Sequence, residues 1–147
     1  MSGPREKISA RVQKKLKQAR VARFATLNAK GQPHIVPICF VYDGGVFYTA
    51  IDRKPKRVAP ERLARLENIR AMPRVALLID EYDEDWARLW YVLIRGKAKL
   101  LPKSAEEERA RAIRKLRTKY SQYARGMLPD DAPVIRISPQ RITSWGS

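Results

Sequence analysis

Between Val21 and Ile51 the chain alternates β-prone segments with two tight-turn signals, and this pattern constrains the fold more than any other. Val21 to Leu27 carries β-branched and aromatic residues and reads as a strand. Asn28-Ala29-Lys30-Gly31 reads as a turn, with Gly31 able to take positive φ. Pro33 to Tyr42 reads as a second strand, Asp43-Gly44-Gly45 as a hairpin turn and Val46 to Ile51 as a third strand. Two successive hairpin connections make neighbouring strands antiparallel, so this stretch predicts a meander.

The remaining elements extend it. Pro60 suits the first turn of a helix that places Leu63, Leu66 and Ile69 on one face and stops at Pro73. Arg74 to Asp80 reads as a fourth strand, apolar enough to be central. Arg88 to Leu101 reads as a long fifth strand with a bulge or bend at Gly96. Ser104 and Glu107 have capping-box spacing, so a covering helix is predicted over 104–125, with Ile113, Leu116, Tyr120 and Tyr123 on its buried stripe. Pro133 to Trp145 reads as a closing sixth strand, where Pro139 marks a break or an edge. At the other end Ile8, Val12 and Leu16 recur at helical spacing in a basic segment, 1–20. The order β-β-β-α-β-β-α-β predicts one mainly β, α+β domain over 1–147, a small six-stranded antiparallel barrel with helices over its open ends.

Composition narrows the chemistry. A chain of 147 residues is the usual size of one domain. One cysteine, Cys39, excludes an intrachain disulfide and a cysteine-based zinc cage; one histidine, His34, excludes a His-rich metal site. No apolar run approaches the ~18 residues of a membrane helix, and the basic N-terminal segment lacks the apolar stretch of a signal peptide. A cytoplasmic location, with no membrane partner, is the expectation. Thirty-one Lys and Arg against fifteen Asp and Glu give a net charge of +16. Such a field attracts polyanions and anionic ligands, and it also suits a solubilising surface. The cations lie at 1–20, at Arg53 to Arg74 and at Arg95 to Arg125, while Asp80, Glu81, Asp83, Glu84 and Asp85 form an acidic knot.

The loop Asp52-Arg53-Lys54-Pro55-Lys56-Arg57 is the strongest candidate site. Four cations at a strand end, just before helix N–H groups, make a phosphate cradle; the same composition also fits a solvated basic loop. Pro33 and Pro37 cannot donate to a ladder, so their strand reads as an edge or a bulge whose free backbone groups could face a planar ligand. Trp86, Trp90 and Tyr91 read either as a stacking surface or as core and interface. His34 suits a proton donor, a carboxylate contact or a structural role. Cys39 reads as a packing residue, and the acidic knot as turn and counter-charge, because no EF-hand pattern completes it.

Four ordered motifs then become recognisable: G-x-P-H-x-V-P-x from Gly31, Y-T-A-I-D-x-K-P-K-R from Tyr48, N-I-x-x-x-P-R-V-A-L-L-I-D from Asn68 and Y-D-x-D-W-x-x-L-W from Tyr82. Together, over about Val21 to Leu101 and onward to Trp145, the chain resembles the pyridoxamine 5′-phosphate oxidase-like family, and more narrowly its coenzyme F-420-dependent subgroup. The resemblance implies an FMN-binding split barrel, a homodimer and two cofactor sites at the dimer interface. It implies FMN or the deazaflavin F-420 as cofactor, although a few relatives bind haem or biliverdin. By position, Val36, Pro37, Ile38 and Cys39 would line the ring with backbone groups. Tyr48, Thr49 and Ala50 would flank the ribityl and phosphate, and Lys54, Lys56 and Arg57 would hold the phosphate. Trp86 and Trp90 would approach the ring or the second subunit, and His34 would contact substrate. The longer substrate-binding signature of true pyridoxamine phosphate oxidases is not evident.

The leading expectation is an oxidoreductase moving hydride between a reduced deazaflavin, or FMN, and a small organic molecule. The cofactor would carry the hard chemistry, which accounts for the missing acid–base constellation; any proton could come from water, His34 or Tyr48. The alternatives are a flavin-binding module without turnover and, with less support, a nucleic-acid-binding barrel. No OB-type or RRM-type signature supports the last.

Overall fold

The computed structural model describes residues 8–52 and 60–146. Seven antiparallel strands form one sheet: β1 Ala22–Leu27, β2 Pro33–Ile38, β3 Val41–Asp43, β4 Val46–Ala50, β5 Arg74–Glu81, β6 Trp90–Leu100 and β7 Val134–Gly146. Their spatial order is β2-β1-β5-β6-β7-β4-β3. The two edge strands are therefore consecutive in sequence, separated only by Cys39 and Phe40. Three Cα–Cα steps reach at most roughly 11 Å, whereas a flat sheet of this size would hold its edges nearly 30 Å apart at ~4.8 Å per strand. The sheet must curl until its edges meet, which makes it a split barrel.

The strand count exceeds the sequence expectation by one for the same reason. Pro33 to Tyr42 is not one strand: its first half pairs with β1, its second half with β4. The prolines stand where expected, since β2 is an edge. Pro139 likewise marks a break: β4 pairs only with Val134 to Ile137 of β7, and a bulge shifts the β6 register so that Arg95 faces Arg141 but Gly96 faces Pro139. The hairpin at Asp43 closes through Gly44 (φ 62°) and Gly45 (φ 89°), the paired positive angles of a type I′ turn.

Among the described residues three α-helices cover the barrel. In α1, Ala10–Gln18, the Ser9 hydroxyl caps Val12 N at 3.2 Å, and Leu16 is fully buried. In α2, Pro60–Ala71, Asn68 donates to Thr26 Oγ1 at 3.0 Å, and Ile69 joins the barrel core. In α3, Glu106–Lys119, Ala112, Ile113 and Leu116 pack on Val41, Tyr48 and Val134. The expected covering helix is shorter than 104–125. Ser104 makes no cap, Ala105 holds that position, and a separate helical turn, Tyr123–Met127, follows. The barrel interior is filled by Phe24, Phe40, Phe47, Leu77, Ile79, Val92, Ile94, Ile135 and Ile137. Among the described residues no helix is long and apolar enough to cross a membrane.

Candidate functional site

The seam between β2 and β3 is held by side chains rather than by a ladder. Thr49 Oγ1 donates to Cys39 O at 2.7 Å. Phe40 N donates to the Tyr120 hydroxyl at 3.0 Å, and that hydroxyl lies 2.9 Å from Arg20 O and 3.2 Å from Phe40 O. Lys119 Nζ donates to Phe40 O at 3.0 Å. These residues reach the seam because α3 stops at Lys119: Tyr120 leaves the helix with extended backbone (φ −117°, ψ 115°).

Beside the seam opens a cleft of about 660 Å³, lined by Arg20, Cys39, Asp52, Lys119, Tyr120, Ser121, Gln122, Tyr123 and Met127. That volume lies within the range of small-molecule sites. A crevice of about 10 Å³ shares Cys39, Asp52 and Tyr123 with it and adds Pro37, Ile38, Thr49, Ala50, Ile51 and Arg65. At their common wall the Tyr123 hydroxyl donates to Asp52 Oδ2 at 2.5 Å.

Burial sets the titration of these groups. It pushes Tyr123 well above the ordinary phenol range, and the Asp52 bond adds to this. It raises Tyr120 to about 12, opposed by the bond to the Phe40 backbone. It lowers Lys119 to about 8, and the positive charge of Arg20 adds to that. The ammonium sits 3.9 Å from the Phe40 ring centroid and 5.4 Å from that of Tyr120, so ring faces replace part of its lost hydration.

Of the residues expected at a site, the crevice brings together Pro37, Ile38, Cys39, Thr49 and Ala50. Val36 packs against the barrel core. Tyr48 is engaged elsewhere: its hydroxyl donates to Glu108 at 2.6 Å, and Arg136 holds the same carboxylate at 2.9 Å. Burial, then the Glu108 bond, raises Tyr48 above the ordinary phenol range. Burial alone would raise Glu108, but bonds from Tyr48 and Arg136 hold it below the ordinary carboxylate value. Lys54, Lys56 and Arg57 lie outside the described residues.

The aromatic group Trp86, Trp90 and Tyr91 is dispersed. Trp86 is 71% exposed. Trp90 is buried in the core, with Nε1 donating to Glu81 at 3.1 Å and Lys15 above its ring at 4.7 Å. Tyr91 stacks on Trp145. His34 faces Thr26 across β1, half-buried, and its Nδ1 has no hydrogen-bond partner among the described residues. None of these residues lines the cleft. The acidic knot divides: Asp80 and Glu81 end β5, and the rest is a turn in which Asp83 accepts from Asp85 N and Asp85 accepts from Ala87 N. Among the described residues no group of acids, histidines and cysteine has metal-binding geometry.

Arg20, Arg65, Lys119 and Met127 were not anticipated at a site, and Tyr120 and Tyr123 were expected only as core. Asp52, the first residue of the basic loop singled out in the sequence, does line the cleft.

A curled sheet whose seam and covering helix enclose such a cleft defines a split barrel. The chain belongs to the pyridoxamine 5′-phosphate oxidase family, whose model matches residues 8–146. It is 29% identical over 130 residues to the 5a,11a-dehydrotetracycline/5a,11a-dehydrooxytetracycline reductase of Streptomyces rimosus, covering 84% of this chain and 72% of that one. Three solved structures share its fold at lower identity. A FAD-binding protein of Mesorhizobium loti is 24% identical, with TM-score 0.67 and coverage of 93% of this chain and 94% of that one. The heme storage protein HutZ of Vibrio cholerae is 14% identical, with TM-score 0.70 and coverage of 95% and 94%. An F420 reductase is 21% identical, with TM-score 0.61 and coverage of 89% and 94%.

Proposed function

We propose that the protein is an oxidoreductase that uses a flavin-type cofactor, coenzyme F-420 in preference to FMN, to reduce a small organic acceptor in the cytoplasm. One observation carries the reading: in a chain of this family, the seam residues Pro37 to Cys39 and the strand end Thr49 to Asp52 converge beside a cleft of ligand size. The similar reductase of Streptomyces rimosus and the fold shared with an F420 reductase support it. When bound, the cofactor supplies the hydride.

The residues present fit a flat ring. β2 is a sheet edge, so the backbone groups from Val36 to Cys39 have a side unclaimed by any ladder. Thr49 and Ala50 flank the same crevice, while Tyr48 contributes through its backbone, its hydroxyl being held by Glu108. Lys54, Lys56 and Arg57 hold the phosphate in this reading. The choice of F-420 follows from the net charge of +16, which suits its more anionic tail. The working unit is a homodimer, a reading that the large apolar side chains exposed on the outer face of the sheet support: Ile35 is 64% exposed and Trp145 52%.

Parallel titrations with F-420 and FMN, read by fluorescence, test this. F-420 should bind more tightly, and Lys54→Ala, Lys56→Ala and Arg57→Ala combined should weaken it by more than about tenfold, or ~1.4 kcal/mol, with unchanged circular dichroism. An affinity within a few-fold of wild type would remove the phosphate assignment. Binding without turnover of reduced cofactor over a panel of acceptors would leave a carrier module.

A further inference from the structure

Lys119 is a half-buried cation whose neighbours are dipoles and rings. Phe40 O and the faces of Phe40 and Tyr120 hold its ammonium. Among the described residues neither Lys119 nor Arg20 has a carboxylate within ion-pair distance. Among the described residues the one acid lining the cleft, Asp52, accepts the Tyr123 hydroxyl. On its other side Lys119 borders a hollow of about 550 Å³ whose wall adds Lys17, Arg114 and Lys115. The charged and titratable groups around it are thus Arg20, Lys17, Arg114, Lys115 and Tyr42, with Asp43 behind them paired to Lys115, and Cys39, Asp52, Tyr120 and Tyr123 across the cleft. A desolvated cation among cations is costly unless an anion arrives.

We propose that the cleft binds a flat organic anion, a conjugated carboxylate or enolate, with its charged oxygen at Lys119 and Arg20 and its plane against Tyr120 and Tyr123. Ammonium and guanidinium supply charge-assisted hydrogen bonds, and the tyrosines and Met127 supply apolar walls. That this anion is the hydride acceptor rests on the proposed function; its binding does not. A bound anion also stabilises the ammonium. Since Lys119 titrates near pH 8 in the free protein, binding at that pH draws a fraction of a proton from solution.

The probe is cinnamate, with neutral cinnamamide as its match in shape, titrated calorimetrically into the cofactor-free protein at pH 8 in two buffers of different ionisation heat. Cinnamate should bind at least about tenfold more tightly than cinnamamide, with proton uptake. Lys119→Met should abolish both the preference and the uptake; Lys119→Arg should keep the preference and lose the uptake. Equal affinities, no cinnamate binding at millimolar concentration, or an unaffected Lys119→Met variant would overturn the proposal. F-420 and FMN titrations of the same samples separate the two ideas. Cinnamate selectivity without cofactor binding would retain the anion cleft and remove the oxidoreductase reading. Cofactor binding without selectivity would do the reverse.

Discussion

Tyr123 and Lys119 stand four residues apart at one end of α3, and burial drives their titrations in opposite directions. The tyrosine is held neutral and donates to Asp52, so Tyr123→Phe removes a buried hydrogen bond from a carboxylate. It should cost about 1–3 kcal/mol, measured by urea unfolding. The lysine shapes the pH profile. Unfolded it titrates near 10.5, folded near 8, so between these values the unfolded chain binds more protons and stability rises with pH. Below pH 8 both states are charged and the buried ammonium weighs fully against the fold. Above pH 10 the raised Tyr120 reverses the trend, because the unfolded phenol loses its proton first. Lys119→Met should therefore raise the thermal midpoint at pH 7 and flatten its climb between about pH 8 and 10. Neither residue was legible as part of a site. A lysine in a helix's last turn already has a reason to be there, the helix dipole, and a tyrosine on an apolar stripe reads as core. Their convergence on Cys39 and Asp52 depends on where α3 ends, which no local pattern encodes.

At the scale of elements, turn chemistry was the most legible feature. Gly44-Gly45 and Asn28 to Gly31 fix their hairpins locally: Asn28 Oδ1 accepts from Lys30 N at 3.0 Å and Gln32 N at 2.9 Å. Gly96 was also readable as a bulge, and the structure gives the reason. A Cβ there would lie 2.2 Å from Ser138 O. Gly96→Ala should thus destabilise by about 1–3 kcal/mol through forced backbone movement, seen as a lower urea midpoint. The division of β2 from β3 was not legible, because β propensity runs unbroken through Ile38-Cys39-Phe40-Val41; barrel closure imposes the break. Likewise Ser104 and Glu107 have the right spacing, yet the turn closed by Ala105 N on Pro102 O at 3.0 Å moves the helix start past the serine.

For the whole molecule, the outer sheet face is the feature to test. Leu78 is flanked by Arg23 on β1 and Leu93 on β6, and Ile35 stands on the neighbouring row. If two copies meet there, Leu78→Asp should halve the mass measured by sedimentation and weaken cofactor binding with it. An unchanged mass would place any dimer contact elsewhere. The strand order itself has a consequence for synthesis. β4 pairs with β7 at Ala50 and Val134, a separation of 84 residues. During translation, at ~5–20 residues per second, β4 must wait several seconds for its partner, with Tyr48 and Ala50 uncovered. The nascent chain is therefore exposed to mispairing for longest at the strand that borders the crevice, and slower elongation before Pro133 should lower the yield of folded protein without altering the protein that does fold.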